Sequence, residues 1–148
     1  MQHYAHTKGE DRRDWEPLET HLERVAELAK NFAAVYDSGD WGRLAGLWHD
    51  LGKYRPAFQR RLQGENIRAE HAIVGAMLAH RQWRAAGDFL ASAIAGHHGG
   101  MPDLSADAQQ ARTALRARLR EADGVFEEAA AQFPADFEIP AMPAFPKF

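Results

Sequence analysis

The stretch "AEHAIVGAMLAHRQWR", residues 69–84, is apolar on most of its helical faces. A helix without a polar side has nowhere to meet water, so other helices must enclose it. The chain supplies them. Leu18, Leu22, Val25, Ala29, Phe32 and Tyr36 recur at three-to-four spacing and predict an amphipathic helix ended by "DSGD". Leu44, Leu47, Trp48 and Leu51 predict a second over 41–51, with Gly52 as its left-handed cap. A short helix follows with Pro56 in its first turn, and "GDFLASAIAGHHGG" predicts another that ends at the glycine pair. A last long helix is expected over 106–131, with Ala111, Leu115, Leu119, Ala122, Phe126 and Ala129 inward. No stretch shows sustained period-two alternation. The expected fold is therefore an all-α bundle of five to six helices.

At 148 residues and 45% hydrophobic content the chain has enough apolar material for one core. No cysteine is present, so disulfides and thiolate metal sites are excluded, and any metal must be held by imidazole and carboxylate. That fits a reducing, cytoplasmic setting. The opening "MQHYAHTKGEDRRDWE" has no signal-peptide character, and no run of 18 apolar residues occurs; a soluble protein without membrane contact is expected. A net charge of -3 argues against binding nucleic acid through bulk charge and leaves only local basic patches. From Phe133 the character changes, because "FPADFEIPAMPAFPKF" holds four of the seven prolines and cannot continue a helix. Residues 1–132 are read as the domain and 133–148 as a proline-rich tail leading into a continuation. Its Phe133, Phe137, Phe145 and Phe148 are more aromatic than a free linker needs, which suits a segment lying along the domain surface.

Eight histidines is a high number, and their positions carry the argument. His21 sits one turn before Val25 and Leu28 on the interior edge of the first helix. His49 and Asp50 close the second. His71 lies one turn before Val74 and Leu78, and His97 continues the Leu90, Ala93, Ile94 stripe, with His98 beside it. These residues fall at helix ends and mostly on inward faces, where a bundle brings several helices to one point. Buried imidazoles and carboxylates are costly without compensation, and a metal ion provides it. His3 and His80 are read as structural, and His6, in "YAHT", as a residue of the site rim.

The set formed by the histidine in "ETHLERVAEL", then "WHDLGK", "EHA" and "AGHHGG" resembles the HD phosphohydrolase superfamily. Within it, "HDLGKYRPAFQ" followed by "GHHGG", together with the "YAHT" opening, is similar to the HD nuclease domain of the CRISPR-associated type I interference nuclease-helicase. The resemblance spans residues 3–104. It implies an HD-domain helical bundle acting as a metal-dependent nuclease on single-stranded DNA in antiviral defence, with a helicase part or subunit and an RNA-guided interference complex as partners. By matching position it implies His21, His49, Asp50, His71, His97 and His98 as metal ligands and Asp50 and Lys53 as catalytic, Lys53 contacting phosphate. In the family-like arrangement Asp50, His71, His97 and His98 form one metal position, and His21, His49 and a share of Asp50 form the other. The family closes that second position with an aspartate on a later helix. Asp103, Asp107 and Asp123 lack its small-residue context, so the chain is expected either to stop before that helix or to be a reduced variant, with the first favoured.

The chemistry of these residue types agrees. A carboxylate such as Asp50 can bridge two metals roughly 3.5 to 4 Å apart, the separation used in two-metal phosphodiester hydrolysis. A donor set rich in imidazole suits one or two transition-metal ions, Mn, Fe, Co, Ni or Zn, better than Mg. No phosphate-binding Walker loop is present to drive a helicase. Lys53, Arg55, Arg60, Arg61 and Arg68 follow the metal pair closely and form a candidate phosphate-backbone patch. Arg112, Arg116 and Arg120 make a second basic row, and Tyr54 and Phe58 are candidates for stacking bases. Two other readings fit the same residues: an HD-type nucleotide phosphohydrolase, and an inactive truncated metal-binding or docking module.

Overall fold

The computed structural model describes residues 2–104 and 114–147. Its elements are β1 (Tyr4–His6), β2 (Glu16–Pro17), α1 (Leu18–Ala34), α2 (Gly39–Trp48), α3 (Pro56–Leu62), α4 (Ala72–Trp83), α5 (Asp88–Gly96), α6 (Leu115–Arg120) and α7 (Asp123–Ala130). Short 3-10 turns cover Leu51–Tyr54 and Arg84–Gly87. The architecture is the expected all-α bundle. Its small strand pair, β1 antiparallel to β2, escapes the periodic signal because each strand is too short to alternate. None of the described helices is long and apolar enough to cross a membrane.

Helix α4 is the centre. Every residue from Ala72 to Ala79 is buried, the result its all-round apolar sequence requires. Around it stand α2, α5, α6 and α7, with α1 packed on α2.

The α1–α2 contact departs from the expected stripe. Leu18, Leu22 and Ala26 are buried, yet Phe32 and Tyr36 are 75% and 70% exposed, and Leu28 is exposed too. The cause is close approach of the two backbones. A β-carbon on Gly42 would lie 2.4 Å from the Ala29 carbonyl oxygen, and one on Gly46 would lie 2.4 Å from the Ala26 Cα. Helices this close meet through small side chains, so Ala26, Ala29 and Ala33 face α2 and the large residues are turned outward.

The expected long helix is also divided. Residues 105–113, with Ala111, Arg112 and Asp107, lie outside the described range. Beyond them, Glu121 and Ala122 have ψ near zero and separate α6 from α7. Leu115, Leu119, Ala122, Phe126 and Ala129 are all buried as expected. The break lets α6 pack on α4 and α5 while α7 reaches α4 and the Leu51–Tyr54 turn, which one straight rod could not do. Residues 133–147 lie on the bundle: Phe133 packs edge-on against Tyr54, Trp41 Nε1 donates to the Ala144 carbonyl at 3.0 Å, and Phe145 packs on Trp41 and Phe89.

Candidate metal centre

Four helix termini meet at Asp50. His21 is in the first turn of α1, His49 caps the C-terminus of α2 with Asp50 next, His71 caps the N-terminus of α4, and His97 caps the C-terminus of α5 with His98 beyond it. Gly52 makes the meeting possible, though not as the expected left-handed cap, since it lies in the 3-10 turn without positive φ. A β-carbon there would stand 2.2 Å from the His71 carbonyl oxygen and 2.4 Å from its Cα. The absent side chain is what lets the His71 backbone cross over the Asp50 turn.

Asp50 is 2% exposed, and its two oxygens have different surroundings. Oδ2 accepts from Lys53 Nζ at 2.8 Å and lies 3.1 Å from His21 Nε2 and 3.0 Å from His49 Nε2. Oδ1 is buried with no hydrogen-bond partner among the described residues, although His97 Nε2 and His71 Nε2 stand 3.4 and 3.5 Å away. Next to it His71 Nε2 and His98 Nε2 approach to 2.7 Å. Burial pushes the Asp50 carboxyl up, but the imidazoles of His21, His49 and His97 around it outweigh burial and hold the group well below the usual carboxylate range. Burial pulls His71 down, whereas at His97 the opposing pull of Asp50 and the Ile94 carbonyl raises the imidazole above its ordinary value.

The outer nitrogens are tied to the protein. His49 Nδ1 donates to the Gly46 carbonyl at 2.7 Å and His97 Nδ1 to the Ile94 carbonyl at 2.6 Å, while His21 Nδ1 lies 3.1 Å from Glu16 Oε2. Donation through Nδ1 leaves the Nε2 lone pair facing inward, the tautomer a metal ligand needs. Donor atoms of Asp50, His71, His97 and His98 lie within 4.8 Å of one another, as do those of His21, His49 and Asp50. The orphaned Oδ1 and this inward set of lone pairs fit a divalent cation; the cluster could hold one.

Beside the His71 and His98 imidazoles opens a cavity of about 590 Å³, lined also by Arg61, Arg68, Asp103 and Arg118. The basic residues expected to form one patch have separate placements. Lys53 is buried, pairing with Asp50 and donating to the Ala5 carbonyl at 3.2 Å, so it supports the carboxylate from beneath and holds β1. Arg55 binds Glu128 and the Glu70 carbonyl, and Arg60 pairs with Glu65. Only Arg61 and Arg68 of this group line the cavity, and neither has a carboxylate partner among the described residues. Tyr54 and Phe58 are 3% and 5% exposed; they pack in the core against Phe133 and His71 and are not open to bases.

Three residues lie beyond the reach of the sequence or at its edge. Arg118 reaches the Ala95 carbonyl at the end of α5 at 3.1 Å and lines the cavity; its signal is the alternating arginines of "LRARLR". Glu16 bridges His21 and Arg24, 2.7 Å from the latter. His6 stands over the His21 ring, centroids 4.8 Å apart, at the rim as expected. His80 pairs with Asp88 at 2.6 Å and His3 packs on Tyr54, away from the cluster. Of the carboxylates considered for closing the His21 side, Asp103 lines the opposite cavity and Asp123 pairs with Arg81.

An all-α bundle whose helix ends gather one buried carboxylate and five imidazoles is the type of site that could hold a metal ion. The HD domain profile matches residues 18–125, so the chain belongs to the HD-domain family. HD domains are typically metal-dependent hydrolases, and the Asp50 cluster is the part of this chain suited to that chemistry. No curated protein matches the chain.

Proposed function

We propose that this HD domain is a metal-dependent nuclease that hydrolyses phosphodiester bonds of single-stranded DNA, acting in CRISPR interference with a helicase and an RNA-guided complex. The observation that carries the hydrolytic part is Asp50, with Oδ1 unpartnered and two imidazole groups converging on its two sides. Asp50, His71, His97 and His98 would hold one ion, and His21, His49 and Asp50 a second. A bound divalent ion supplies Lewis-acid activation of water and neutralises charge on the phosphodiester. The chain's own residues do the rest. Lys53 keeps Asp50 ionised and aimed at the cluster, and Glu16 holds the His21 ring in position. Arg61, Arg68 and Arg118 give the adjoining cavity a cationic wall suited to backbone phosphates. The interference role is supported by the order and spacing of "HDLGKYRPAFQ" and "GHHGG".

The test is hydrolysis by the purified chain supplied with Mn, Co or Ni, comparing single-stranded DNA, duplex DNA and free nucleotides. Single strands are expected to be cut and duplexes left largely intact. Hydrolysis of nucleotides with DNA untouched would assign the site to a nucleotide phosphohydrolase, and no turnover with metal bound would leave a binding module.

A further inference from the structure

Helix α6 separates two cavities, and only the first belongs to the site above. The second, about 600 Å³, is lined by His80, Arg81, Arg84, Asp88, Arg116 and Arg120 among others. The division follows from helical geometry: Arg116 and Arg120 are four apart and share a face, while Arg118 between them points to the other side. Part of the charge in the second cavity is already neutralised. Arg81 binds Asp123 and Glu127, both at 2.7 Å, and Asp88 is shared between His80 at 2.6 Å and Arg116 at 4.0 Å. Arg84 and Arg120 have no carboxylate partner among the described residues. Arg84 also has φ 50° and ψ -132°, a region a side chain rarely adopts, at the point where α4 gives way to the Arg84–Gly87 turn. Glycine would remove that strain. The chain instead keeps a strained arginine at the mouth of a cavity already rich in arginine.

We infer that this second cavity is a phosphate-binding site, and that Arg84 and Arg120 hold a backbone phosphate of a single strand that crosses α6 from the metal-side cavity. A planar guanidinium without a carboxylate is free to take a phosphate in two-point contact. Arg116 and Arg118, on opposite flanks of α6, line the route between the two cavities. This inference rests on the nucleic-acid reading above.

The test measures binding of labelled oligothymidylates by anisotropy on the whole chain, with chelator present so that nothing is cut. A short strand of about four nucleotides and a long one of about sixteen separate the two cavities. The variant Arg84→Gly with Arg120→Ala removes both cations and relieves the backbone. It is expected to weaken the long strand about tenfold and to flatten its log-affinity against log-salt slope by about 0.7, the change for one phosphate that is no longer neutralised. Short-strand affinity should stay within about twofold, whereas Arg61→Ala with Arg68→Ala should weaken both lengths. Unchanged long-strand affinity, or equal weakening for both lengths, overturns the second site. A parallel titration with inorganic phosphate follows the Nε–H resonances of Arg84 and Arg120 in the unmodified chain. If no strand binds but phosphate shifts both resonances, the nuclease reading falls and the phosphate site stands. If neither strand nor phosphate shifts them, the inference is wrong.

Discussion

The two oxygens of Asp50 occupy opposite conditions within one carboxylate. Oδ2 is held by the Lys53 ammonium, with His21 and His49 close beside it and His21 braced by Glu16. Oδ1 has no hydrogen bond among the described residues, and the imidazoles of His71, His97 and His98 stand around it at longer range. The first side is stabilised by a buried ammonium, with which a cation would have to share the oxygen. The second side is complete only when something else occupies it. A buried acceptor without a donor is costly, so the second side gains more from a cation than the first. The expectation is unequal metal affinity, with the tight ion on the Oδ1 side.

The largest effect should come from Asp50→Ala, which removes both sides together. Metal binding should vanish, and the buried Lys53 left without its partner should cost about 3–5 kcal/mol of stability. Calorimetric titration with chemical denaturation reads both; retained tight binding would show that the imidazoles alone hold the ion.

Single-side variants then separate the two halves. His97→Ala should abolish the tight event, and His21→Ala should remove only the weak one. Calorimetric titration of metal-free protein distinguishes them, and two equal tight sites in the parent chain would refute the asymmetry.

Gly52→Ala probes the same division without changing a ligand. The added methyl meets the His71 backbone, so overpacking should cost about 1–3 kcal/mol and move His71 away from Asp50. Tight binding should weaken while the His21 side changes little. An unaltered tight event would mean that His71 is not needed there.

The smallest effect is expected from Glu16→Gln, which keeps the shape but weakens the brace on His21. Affinity of the weak event alone should fall about 10- to 100-fold. A matching decrease on the tight side would show that the two halves are not independent.

Much of this is legible along the chain. An all-apolar segment forces a central helix, and α4 is buried from Ala72 to Ala79. Histidines at helix ends are readable because a helix end is local, and His21, His49, Asp50, His71, His97 and His98 do come together. Other features lie outside local reach. Phe32 and Tyr36 read as core residues by period, but Gly42 and Gly46 bring the α1 and α2 backbones too close for them. Lys53 and Arg55 read as free cations; Asp50 is a local partner three positions before Lys53, but Ala5, Glu70 and Glu128 depend on how the chain folds back.

Residue type, helical period and helix termini are set within a few positions along the chain, so the bundle and the kinds of ligand it gathers follow from the order of amino acids alone. Which oxygen of Asp50 is left without a donor and which arginines remain unpaired among the described residues, and that α6 stands between two cationic cavities, emerge only when the helices pack. Those properties are distances between residues far apart in the chain. Lys53 meets Ala5 across 48 positions and Arg55 meets Glu128 across 73, and no periodicity encodes such a contact.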